Sequence, residues 1–139
     1  MVGRILAKSL VDAGGIPVAF PRLALEPIQS DDLVGVHRLA RWIQPLSRSA
    51  AFDRFVTMTS YIARASAAHG RDCLKFKHVY DAVPLLKGIT AELGDLQLSH
   101  IHDGDVVYVE FYAVRRPGTS VLAFNFSRIT RLAEHSTLY

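Results

Sequence analysis

Cysteine is almost missing from this chain: Cys73 is the one thiol in 139 residues. An intrachain disulfide is thereby excluded, and a lone thiol suits a reducing, cytoplasmic compartment. Cys73 has no activating context in the sequence and reads as a small buried hydrophobe. Long apolar runs are missing too. No stretch reaches the roughly 18 residues a membrane-crossing helix requires, so no membrane partner is expected. The opening MVGRILAKSLVDAGG is broken by Lys8 and Asp12, which excludes the apolar core of a secretory signal. There is no glycine-rich phosphate loop, GxSxG elbow, CxxC pair or HExxH helix. Charge of one sign is scarce: 16 basic residues against 13 acidic give a formal +3, spread along the chain. Nucleic acid ordinarily demands a clustered basic stripe, so the sequence predicts no nucleic-acid partner.

What is present is an ordinary globular composition, half apolar and a fifth charged, over a length that suits one domain spanning 1–139. The most informative stretch runs from Leu96 to Arg131. Three apolar runs rich in Val, Phe and Tyr are separated by Asp103-Gly104-Asp105 and Arg115-Arg116-Pro117-Gly118, both turn signals. The reading is a three-stranded antiparallel meander, with the segments upstream covering one of its faces.

Those upstream segments read mainly as helices. Val2, Ile5, Leu6, Leu10 and Ala13 recur at spacings of three and four, predicting a helix over 2–13 that Gly14-Gly15 ends. Pro17, Pro21 and Pro27 make the next segment an extended linker or a sheet edge. Ser30 followed by Asp31 and Asp32 opens a helix whose dipole welcomes negative charge, and Pro45 closes it. Trp42 on that helix is a core or interface anchor. A third helix is expected from Ser49 to about His69, with Phe52, Phe55, Val56, Thr59 and Ile62 on its buried stripe. Cys73 to Tyr80 alternates like a strand. Helices first and strands after predict an α+β domain, N-terminal helices packed on a curved antiparallel sheet.

Strand parity then selects the polar residues that share a face. Val107, Val109, Phe111 and Ala113 form a wholly apolar face, leaving Tyr108, Glu110 and Tyr112 on the other. Glu110 is either a solvated surface carboxylate or one sunk among aromatic rings, where a raised pKa would suit a general acid or base. His78 and Tyr80 extend the apolar face of Leu74 and Phe76, with Asp81 at the strand end. They form either a hydrogen-bonding pair lining a cavity or an ordinary satisfied core pair. Asn125, in the middle of an apolar strand, needs a partner that Glu110 across the hairpin could supply. His100 and His102, with Asp103 and Asp105 nearby, could face a metal from one strand, but histidines flanking a turn usually face water, and no metal set is assigned.

The stretches LKFKHVYDAVPLLKG, DGDVVYVEFYAV and FNFSRITRLAEHSTLY resemble the NTF2-like superfamily, in particular its SnoaL-like and ketosteroid-isomerase-like members, over about residues 71–139. The resemblance implies a cone-shaped α+β barrel around an apolar pocket, commonly dimeric. It implies cofactor-independent acid–base chemistry on a small apolar molecule, of the isomerase or cyclase type. On that reading Glu110 or His78 is the catalytic base, while Tyr80, Asp81, Tyr112 and Asn125 bind the ligand. Two alternatives stand beside it: a non-catalytic binder using the same pocket, and an interaction module whose Tyr108 and Tyr112 face meets a second copy or another partner.

Overall fold

The computed structural model describes residues 1–43, 54–59, 76, 78–115 and 122–135. It is mostly sheet. Strands β1 (Val2–Val11), β2 (Pro17–Pro27), β3 (Val56–Thr59), β4 (Val79–Asp81), β5 (Gly94–Asp95), β6 (Val106–Arg115) and β7 (Leu122–Ala133) form one mixed sheet in the order β3-β2-β1-β6-β7-β4-β5. Among the described residues there are two α-helices, α1 (Ser30–Ile43) and the one-turn α2 (Val83–Leu86). The expected α+β arrangement, several N-terminal helices covering a sheet, is therefore overturned: the N-terminus is itself sheet.

The segment 2–13 shows why. It is a strand bearing irregularities between Ile5 and Ala7 and between Ser9 and Val11. An extra residue in one strand of a pair shifts the phase of its in-out alternation. Gly3, Ile5 and Leu10 are buried while Arg4, Leu6, Ala7 and Ser9 are exposed. A period of two broken in this way imitates helical spacing.

The proline-rich segment is β2, flanked by β1 and by β3. Its prolines sit where no ladder donor is required. Pro17 and Pro27 terminate the strand, and Pro21 lies in the stretch between the Ser9↔Arg22 and Val11↔Pro17 pairs, where the register is interrupted. Partner β3 is paired only with Arg22 to Leu25, clear of all three prolines.

Helix α1 starts where Ser30, Asp31 and Asp32 predict. Val36 is buried in the core and Leu33 packs against it, while the Asp32 carboxylate accepts a bond from the Val2 backbone N–H at 3.4 Å. The side chain of Trp42 lies outside the described residues. The helix expected from Ser49 to His69 is contradicted where it can be seen: Val56 and Met58 are buried, Phe55 and Thr57 exposed, and the stretch is β3. Its remaining parts, 49–53 and 60–69, lie outside the described residues, as does Cys73.

The meander loses its first strand. Leu96–His102 is a loop with a 3-10 turn at Leu98–His100, so β6 and β7 form a two-stranded antiparallel ribbon. Leu98 and Ile101 anchor the loop in the core, and Gly104 turns the chain into β6 with φ 89°.

The sheet curls. Its edge strand β3 also meets β7 in parallel, at the pair Thr59↔Asn125. The pairings β1–β2, β2–β3, β3–β7, β7–β6 and β6–β1 thus close a five-membered ring, antiparallel throughout except at that one seam. Inside it Leu23, Leu25, Met58, Val107, Val109 and Ile129 are fully shielded from solvent. No helix among the described residues is long and apolar enough to cross a membrane.

Candidate functional site

Most of the residues singled out in the sequence do come together, on the outside of the sheet. Tyr80 and Tyr108 flank Thr130 in one row across β4, β7 and β6. Glu110 stands opposite Arg128, and Tyr112 opposite Asn125. His78 is exposed just before β4, and its carbonyl accepts a bond from the Ile129 N–H at 3.0 Å. The expected apolar face of Phe76, His78 and Tyr80 is not one face: Phe76 and Val79 are the buried residues there.

Glu110 is a surface carboxylate, 42% exposed, that accepts a hydrogen bond from Arg128 Nη1 at 3.4 Å. Arg128 also lies over the Tyr80 ring, 5.2 Å from its centroid. Asn125 is buried on this same side, and the expected Glu110–Asn125 alignment is off by an irregularity between Glu110 and Phe111 that leaves Ser127 as the extra residue. Phe126 is thereby turned inward against Phe76, ring centroids 5.0 Å apart.

Asp81 belongs to a different constellation. Arg131, buried on β7, grips it with two bonds, Nη2 to Oδ2 at 2.7 Å and Nε to Oδ1 at 3.3 Å. The same guanidinium donates to the His100 carbonyl at 3.2 Å and reaches Glu134 at 3.1 Å. Burial pushes the Asp81 carboxyl up. The bonds from Arg131 and the Val83 N–H, with the positive charges of Arg131 and Lys87, outweigh that and hold it below the usual carboxylate range. For Arg131 the carboxylate's grip exceeds the cost of burial, so the cation is strengthened. This is a tie between β4 and β7 and the loop before β6. Its groups face each other, leaving little to offer a ligand.

His100 and His102 are exposed, and among the described residues no three His, Cys, Asp or Glu side chains converge to hold a metal ion. A cavity of about 310 Å³ lies at the end of the sheet near the β1–β2 turn, lined by Gly15, Pro17, Phe76, Val79 and residues 96–99. None of His78, Tyr80, Asp81, Glu110, Tyr112 or Asn125 lines it.

Sequence reasoning missed a second surface. On the outer side of β1, β2 and β3 stand Arg4, Arg22, Ala24, Glu26 and Thr57, all exposed apart from the half-buried Ala24; Arg54 and Phe55, also exposed, lie in the bend just before β3. Register fixes their neighbours: Arg4 faces Glu26, Ala24 faces Thr57, and Ser9 faces Arg22. Arg22 and Glu26 lie four residues apart on β2, roughly 13 Å at strand rise. Phe55 is 45% exposed, a large ring left in water. The three strands contain one carboxylate, Glu26. The signal for this surface was dispersed over 50 residues, and only the pairing of β1, β2 and β3 assembles it.

Compared with protein-family models, with curated proteins and with solved structures, the chain matches none.

Proposed function

We propose that this chain is a non-catalytic binding module that holds single-stranded nucleic acid across the outer face of β1, β2 and β3. One observation carries the reading: Arg4 and Arg22 share that face with Thr57, and the exposed ring of Phe55 stands two residues before Thr57, against the one carboxylate, Glu26, in the three strands. Single strands are held by cations that track the phosphates and by aromatic rings on which bases stack, a combination indifferent to base sequence. The scattered charge of the sequence had argued against such a partner. Folding brings Arg4 and Arg22, from two strands, onto one face, with Glu26 opposite Arg4.

The connectivity of the sheet supports the same face. Five-stranded, partly open barrels of the OB type bind oligonucleotides over their second and third strands. The ring formed by β1, β2, β3, β6 and β7 has a comparable layout; its second and third members carry Arg22 and Thr57, and Phe55 stands just before the third. That likeness is an analogy of architecture; the side chains carry the proposal. Acid–base chemistry on a small molecule draws less support, since its proposed base Glu110 is tied to Arg128 in solvent and the cavity lies elsewhere.

The test is fluorescence anisotropy with a labelled oligothymidylate at low and moderate salt. Wild type is expected to bind, with affinity falling as salt rises, because neutralised phosphates release counterions. Phe55→Ala should weaken binding about 5- to 150-fold, the range for loss of one stacked base. Arg22→Glu should weaken it and flatten the salt dependence. Both side chains are exposed, so folding should be unaffected. No binding by wild type at low salt, or equal binding by both variants, would overturn the reading.

A further inference from the structure

The outer face of β4, β7 and β6 has a different character from the arginine face. It carries Tyr108 at 40% exposure, Tyr112 at 50%, the half-buried Tyr80, and the Arg128–Glu110 pair. One cation and one anion side by side cancel, so phosphate has little reason to settle here. Tyrosine and arginine are the residue types that protein interfaces favour, being large, rigid and able to bury a ring while keeping a polar tip satisfied.

We propose that this face is the contact between two copies of the chain. The argument is its charge pattern. A two-fold axis brings the same patch of each subunit against the other, so the patch must complement itself. A surface holding Arg128 next to Glu110 does so: rotation sets the cation of one copy against the anion of the other, with the tyrosines packing around them. The face is two strands wide along the roughly 33 Å of β6, and β4 adds a third strand over three residues, so it offers about 750 Å² for both partners, below the standard specific interface. The dimer is accordingly a weak one that forms in the micromolar range. It leaves the arginine face of β1, β2 and β3 uncovered, so the proposal is independent of nucleic-acid binding.

Sedimentation velocity over a concentration series tests it. Wild type should shift from monomer toward dimer by about 100 μM. Glu110→Arg gives each copy two cations on this face and Arg128→Glu gives two anions, so each variant alone should dimerise at least tenfold more weakly. Mixing the two should restore association as a heterodimer, because their faces are now opposite in charge. A structural role confined to one subunit would not produce that rescue. Circular dichroism of each variant checks that both are folded. A wild type that stays monomeric, variants that associate as well as wild type, or a mixture that fails to associate would each overturn the proposal.

Discussion

Exchanging Arg131 for methionine should lower the unfolding free energy by about 3 kcal/mol, because it strands the Asp81 carboxylate in a site shaped for an ion pair. The side chains of Arg131 and Asp81 are only 9% and 16% exposed, so water replaces the lost partner poorly. The change also removes the bond to the His100 carbonyl and thus one of the ties holding the loop before β6. In a domain of this length the melting temperature should fall by about 10 °C. A thermal melt at neutral pH decides it, and a fall of less than about 3 °C would mean the pair contributes little.

The pair also sets an acid limit. Asp81 has a folded pKa below its unfolded value, so its stabilising contribution is complete above the unfolded value and fades as pH drops through the folded one. Stability should therefore decline from about pH 4 downward. Arg131, shifted upward, keeps its charge throughout that window. Asp81→Asn should be less stable at neutral pH but lose less on acidification, so the wild-type and variant curves converge toward low pH. Parallel curves would remove Asp81 from the explanation.

Asp105 should come next in size. It is 1% exposed, and its carboxylate accepts the backbone N–H of His102 at 2.8 Å and that of His135 at 2.9 Å. One side chain thus joins the turn before β6 to the segment that follows β7. Its backbone carbonyl accepts from Ile5 on β1 at 2.9 Å. Asp105→Ala leaves two N–H groups without their acceptor, at a cost of about 3 kcal/mol. Asp105→Asn, which keeps one carbonyl oxygen as acceptor, should lose about half as much. Urea titration should show both as lower midpoints at unchanged slope. A midpoint for the alanine variant within error of wild type would show that water satisfies those donors.

These two carboxylates mark where the sequence was legible and where it was not. Asp103-Gly104-Asp105 is a turn in sequence and in structure, since a positive φ favours glycine whatever the distant contacts. Ser30-Asp31-Asp32 opens a helix for equally local reasons. The in-out parity of β6 was also readable, with Val107 and Val109 buried and Tyr108 and Tyr112 outside. Legibility failed where a strand is interrupted early or is very short. The interruptions in β1 shift the phase of alternation, and the alternating run Phe55 to Met58 is too brief to tell from part of a helical stripe. The six candidate residues show a subtler limit. Parity grouped Tyr108, Glu110 and Tyr112 correctly on one face of β6 and misplaced Tyr80 beside Phe76, and which face turns toward the interior depends on how the sheet curls. That curl is set by the β1–β6 and β3–β7 pairings, whose strands lie about 100 and about 70 residues apart in sequence, respectively. The arginine face was invisible for the same reason.

Thr59 and Asn125 form the one described stitch along which the cylinder is sewn shut. That stitch joins parallel neighbours in a ring otherwise antiparallel, and parallel pairing is slightly the weaker of the two per residue. Strain on the barrel should therefore be felt at this seam before it reaches the long β6–β7 ladder.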